Sequence, residues 1–303
     1  MFYCLNINTK GSTKFCGILL KDKKRGEIMS EIILSVLKIS IIEIFYLTGL
    51  TLLAGLILGG FERASNNLMQ RSLGRKGIFI TAWLGTPIHE LGHAVMCIIF
   101  NHNITKIKLL NTKSENGVLG YVEHSYNPSS IYQSIGNLFI GLGPIFSGIG
   151  ALVASMYFLV PRSFKVFKMF VLEGINNDKI DINVAGSLFK ASGVLIKSIF
   201  NTANLSSINF WIFIVAAICI SSHIALSKAD IKGAKSGFIV LFVSIFIVNF
   251  ILRYFSINTA HYVMQLGRYN AHLIAVLLIA LIFSAFTLVV SFICYVLFSL
   301  KNR

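Results

Sequence analysis

The chain has 303 residues, of which 55% are hydrophobic and only 13% charged. With a mean hydropathy of +0.75, it carries too little polar surface for a water-soluble protein of this length and reads as a polytopic membrane protein. Twenty-seven Lys and Arg against twelve Asp and Glu suit loops that face anionic headgroups, and no basic stripe interleaved with aromatics marks a nucleic-acid surface.

Residues 1–38 form a basic N-terminal segment in which Lys21, Lys23, Lys24 and Arg25 cluster ahead of Met29. The apolar stretch that follows is too long for a signal peptide and has no evident small-residue cleavage site. Lys24 to Met29 back-translates into a purine-rich run ending in ATG, the pattern of a ribosome-binding site before a start codon. Translation from Met1 and from Met29 therefore both stay open, with residues 1–28 untranslated in the second case.

Hydrophobic runs predict about six transmembrane helices. The first runs from Ile39 to Gly60, with Lys38 and Glu43 at its interfacial start, and a short basic loop with Arg63, Arg71, Arg75 and Lys76 leads to the second, Ile78 to Phe100. Pro87 removes a backbone donor inside this second span and predicts a local kink. After it, Ile104 to Leu110 alternates apolar and polar residues, Asn111 to Gly117 supplies turn chemistry, and Val118 to Val122 is a second β-prone run, which together predict a hairpin at the membrane surface. The third span, Ile131 to Val160, holds Gly136, Gly141, Gly143, Gly148, Gly150 and Pro144, and its small residues predict close packing against another helix. The long connection 161–209 contains an amphipathic stretch from Ile182 to Phe200 that is expected to lie on the bilayer surface. Phe210 to Ser227, Gly237 to Phe255 and His272 to Phe298 complete the set. The fold class is thus an all-α membrane bundle with one small β-hairpin, divided into a core over 39–233 and a C-terminal helix pair over 234–303. The cysteines Cys4, Cys16, Cys97, Cys219 and Cys294 are scattered and odd in number, and carry neither a disulfide framework nor a paired metal spacing.

The second span contains His89-Glu90-Leu91-Gly92-His93. Residues four apart share a helix face, so His89 and His93 can offer two imidazoles to one metal ion, with Glu90 beside them to act on a water. From the composition, roughly 0.006 accidental matches to this pattern are expected in the chain. Three ionisable side chains inside a membrane-spanning run are costly and mark function.

A catalytic zinc site needs a third protein ligand. Of the acids, Asp22, Glu27, Glu31, Glu62, Glu115, Glu123, Glu173, Asp178 and Asp181 fall in the N-terminal stretch or in loops, Glu43 opens the first span, and Glu90 is the base. Asp230, at the end of the fourth span, remains. His223 precedes it by two helical turns and would share its face on a continuous helix; it is open as a ligand, a transition-state hydrogen-bond donor or an interhelical contact. Asn137 in the third span is a second candidate for a supporting role. His102, His124, His261 and His272 are expected to be solvated residues of loops and boundaries.

This pattern resembles the site-2 protease family of intramembrane zinc metalloproteases. The resemblance rests on His89-Glu90-Leu91-Gly92-His93-Ala94 within a span, the hairpin directly after it, the Gly143-Pro144 step in the next span, and Asp230 followed by Gly233. It covers Ile78 to Gly233, about half the chain. It departs from the family at Ala229-Asp230-Ile231-Lys232-Gly233, where Leu-Asp-Gly with an Asn-x-x-Pro element is usual. The resemblance implies Zn²⁺ held by His89, His93 and Asp230, Glu90 as general base, and an extended membrane-protein substrate received by strand addition at the hairpin between Ile104 and Val122. It also implies a multi-pass protein of a bacterial cell membrane with its site towards the cytoplasm, a side that the nearly even split of Lys and Arg between loops does not decide. Two other readings fit the residues: a non-catalytic zinc-binding membrane protein that acts through a partner, and an ion-coupled transporter in which His89, Glu90 and Asp230 line the path.

Overall fold

The computed structural model describes residues 29–112, 118–175, 193–255, 257 and 260–301. The N-terminal segment before Met29, the turn of the hairpin and most of the predicted amphipathic stretch lie outside them.

The described residues are mostly helical. Helix α1 (Met29–Leu73) includes one π-helical turn, Phe45–Gly49. It is followed by α2 (Arg75–Ile99), strands β1 (Asn103–Lys108) and β2 (Tyr121–Ser125), and α3 (Ile131–Leu159). Helices α4 (Pro161–Ile175), α5 (Ile208–Ser221), α6 (Lys228–Tyr254) and α7 (Ala260–Lys301) complete the bundle. Short helices also cover 193–199 and Thr202–Leu205.

Among the described residues, four segments are long and apolar enough to cross a membrane: Met29–Leu73, Ile131–Leu159, Lys228–Arg253 and Leu277–Leu300. The predicted second span is the helix α2, which runs unbroken through Pro87. Its length suffices, but the motif and its neighbours dilute its apolarity. The predicted fourth span stops short: α5 has 14 residues, about 21 Å of helix against a hydrocarbon core of about 30 Å.

Among the boundaries that differ from the expectation, two bear on the cavity. The first span neither starts at Ile39 nor ends at Gly60; helix continues to Leu73, so Glu43 and Glu62 are helical residues, and the turn into α2 falls on Gly74, whose φ of 63° suits glycine. The charges read as a loop are compatible with a helix that emerges into water. Glu43 is half-buried and accepts a hydrogen bond from Asn249 Nδ2 of α6. The second difference lies at Ser222 to Leu226, which is not helical and separates α5 from α6.

Helix α3 is central and touches every other long helix, whereas α1 packs chiefly along α7. Its glycines explain the closeness. A Cβ on Gly143 would meet the backbone of Gly92 on α2, and one on Gly141 would lie 2.7 Å from the Asp230 carbonyl oxygen and 2.8 Å from Ala234 Cβ on α6. Small residues on both partners let backbones touch without a side chain to bury, as membrane bundles require. On one side of this contact, Leu58, Leu152, Phe210, Phe213, Ile224 and Phe283 form an apolar core.

The two strands pair antiparallel, with Ile104 opposite His124, Ile107 opposite Val122, and an irregularity between Ile104 and Lys106. The second strand begins three residues later than the β-prone run: Val118 to Gly120 is not strand, although the Leu119 carbonyl oxygen still accepts the Asn111 N–H across the hairpin, and Gly120 lies against Thr86 and Glu90 of α2.

Candidate metal centre

His89 and His93 stand one turn apart on α2, and Asp230 reaches them from the first turn of α6. Asp230 is placed by a capping box. Ser227 Oγ accepts from the Asp230 N–H at 3.1 Å, and Asp230 Oδ2 accepts from the Ser227 N–H at 2.7 Å. Ser227 is therefore the N-cap of α6, and Asp230 belongs to the first turn of that helix, not to the end of the predicted fourth span. His223 accordingly lies in the connecting segment and shares no helix face with Asp230.

The three side chains converge. His93 Nε2 is 3.2 Å from Asp230 Oδ1, His89 Nε2 is 3.6 Å from Asp230 Oδ2, and the two Nε2 atoms are 3.2 Å apart. One ligand atom from each lies within 4.8 Å of the others. The ring orientation is fixed from behind. His89 Nδ1 is 2.7 Å from the His223 carbonyl oxygen and His93 Nδ1 is 2.7 Å from that of Ile140. A carbonyl only accepts, so each Nδ1 carries its proton, and each neutral ring presents a bare Nε2 to the centre. Two nitrogen lone pairs and a carboxylate at these separations repel unless a proton or a metal cation lies among them. The donor set therefore fits a divalent metal ion, with ligands that suit borderline metals.

Glu90 and Asn137 are buried beside this group. All of them line a cavity of about 650 Å³, together with Glu62, Asn66, Thr86, Val122, His124 and His223. Ile104, the other hairpin residue expected at the site, is not among them. The hairpin approaches through Gly120, where a Cβ would lie 2.9 Å from Glu90 Oε1 and 2.9 Å from Thr86 Cγ2. Asn137 Nδ2 donates to Ser236 Oγ at 3.2 Å and so ties α3 to α6.

Two buried polar atoms in the cavity wall have no partner among the described residues, Thr86 Oγ1 and His223 Nε2. The His223 ring lies against Gly85, and its Nδ1 is 3.0 Å from Ser222 Oγ. A buried polar atom left unpaired is costly.

The expectation that His102 and His124 are solvated is wrong for both. His102 is buried, with Nδ1 3.0 Å from His124 Nδ1 and Nε2 2.8 Å from the Gln133 carbonyl oxygen. His124 is half-buried on β2 and lines the cavity. Burial, and secondarily the charge of His102, hold its pKa below the ordinary histidine value. The expectation for His261 and His272 falls outside the described side chains. Glu62, discarded as a loop acid, was the residue most hidden from sequence reasoning; the signal for it is that helix-compatible residues continue past Gly60 without a breaker until Gly74.

Comparison with protein-family models, with curated proteins and with solved structures found no match.

Proposed function

We propose that this protein is a zinc-dependent intramembrane endopeptidase that hydrolyses peptide bonds in or beside transmembrane segments of membrane-protein substrates, as a diverged relative of the site-2 proteases. The observation that carries the reading is the convergence of His89, His93 and Asp230 at a cavity that Glu90 also lines. A transport path does not require that combination.

Zinc held by these three side chains would supply Lewis acidity towards the scissile carbonyl. Glu90, buried in the cavity wall, takes a proton from the attacking water and returns it to the leaving amine. The one proton of the Ser222 hydroxyl has two acceptors in reach, the Cys219 carbonyl oxygen at 3.1 Å and His223 Nδ1 at 3.0 Å; in the arrangement where it goes to Nδ1, the ring proton of His223 sits on Nε2 and can be donated to the oxygen that gains charge as the carbonyl is attacked. Substrate helices must unwind before attack, and pairing with the hairpin would hold the opened segment extended.

The test combines metal content with cleavage. The expected result is about one zinc per chain in purified wild type and in Glu90→Gln, and much less in His93→Ala. Single-span membrane proteins reconstituted with the wild type are cleaved, and with Glu90→Gln they are not. Cleavage undiminished in Glu90→Gln rejects the assignment.

A further inference from the structure

The His102–His124 pair takes no part in the chemistry above, yet its hydrogen bonds fix a chemical property of the cavity wall. His102 Nε2 lies 2.8 Å from the Gln133 carbonyl oxygen and must donate to it. With the ring neutral, His102 Nδ1 is then an acceptor, and the 3.0 Å contact to His124 Nδ1 requires the proton on His124. That leaves His124 Nε2 bare, on a residue that lines the cavity.

The pair is also held rigidly. Tyr126 stacks on His102 with ring centres 5.0 Å apart and planes 15° apart. Gln133 Nε2 donates to the Asn101 carbonyl at 2.9 Å, and Gln133 Oε1 accepts the Asn127 N–H at 2.6 Å. The end of α2, the exit of the hairpin and the start of α3 thus meet around His102.

The geometry points to His124 as a substrate-positioning residue, its Nε2 accepting a hydrogen bond from a backbone N–H of the peptide in the cavity, with His102 fixing the tautomer that makes this possible. This rests on the peptidase reading and extends it. Of the other groups named at the reaction centre, Glu90 is committed to the water proton, His223 donates, and the remaining three hold the metal, whereas an extended peptide also presents N–H groups that need an acceptor.

Two measurements test it. The first is the tautomer, read from ¹⁵N shifts of histidine-labelled, zinc-loaded protein in detergent micelles. His124 is expected to carry its proton on Nδ1, with His102→Phe producing a mixture; a proton on His124 Nε2 in the wild type overturns the inference. The second compares two probes of zinc-loaded protein, acetohydroxamate, which reaches only the metal, and a short peptidyl hydroxamate, which also offers backbone N–H groups. His124→Phe should weaken the peptidyl probe by about threefold to tenfold, the value of one hydrogen bond, and leave acetohydroxamate unchanged. His124→Gln, which restores an acceptor, should recover much of the loss. Equal weakening of both probes, or of neither, overturns the inference. A wild type that takes up zinc but not the peptidyl probe also overturns it while the metal site stands. One that takes up no zinc overturns the metalloprotease reading, and this inference with it.

Discussion

Asp230 and Ser227 exchange hydrogen bonds at the start of α6, 2.7 Å from the Ser227 N–H to Asp230 Oδ2 and 3.1 Å from the Asp230 N–H to Ser227 Oγ, while Asp230 Oδ1 faces His93. One carboxylate thus starts a helix and faces both histidines. Ser227→Ala removes the hydroxyl half of the cap, worth about 0.5–2 kcal/mol, and loosens the carboxylate that faces the histidines. Zinc affinity, measured by competition with a chelator, should fall by about tenfold to a hundredfold. Asp230→Ala should lose the metal outright, and an Asp230→Ala protein with full zinc would remove Asp230 from the ligand set.

His223 serves His89 through its main-chain carbonyl and the cavity through its ring. His223→Ala keeps the carbonyl, so zinc content should stay at the wild-type level. If the ring donates to the reacting oxygen, hydrolysis should drop by about a hundredfold to a thousandfold. Loss of zinc in this variant would show that the ring supports the metal site instead.

Glycine substitutions separate packing from conformation. Gly141 abuts the Asp230 carbonyl, whereas a Cβ on Gly150 meets nothing within 4 Å. Gly141→Ala should push α6 away from α3, lowering thermal stability in detergent by about 1–3 kcal/mol and weakening zinc binding. Gly150→Ala should leave both unchanged, and parallel losses in the two variants would contradict the close approach.

Glu62 lines the cavity without joining the ligand cluster. Glu62→Gln should therefore retain wild-type zinc stoichiometry, as read by atomic absorption of the purified protein. A loss of metal as large as that in His93→Ala would make it a ligand.

The grouping of the core residues was legible because its signal is local: His89, Glu90 and His93 lie within about one helical turn, and their nearness follows from spacing alone. Asp230 was reached by elimination, although Ser227-Lys228-Ala229-Asp230 is itself a helix-start pattern, and reading it would have broken the fourth span in the right place. His102 and His124 were misread because a lone histidine at a boundary looks solvated, and only pairing across the hairpin reveals that they bury each other. Glu62 was lost because charge was taken as a loop signal, whereas the helix needs only the absence of a breaker. The glycine-rich third span was read correctly as a packing surface, but its partners, α2 and α6, depend on contacts far apart in sequence.

The candidate ligands come from α2 and α6, with the hairpin, α3, α4 and α5 strung between them. An ion gripped by His93 and Asp230 would close that entire stretch into a ring, and cross-links spanning long loops restrict the unfolded chain most strongly. Metal uptake and folding would then be one thermodynamic event, and a chelator would act on this protein as a reducing agent acts on a disulfide.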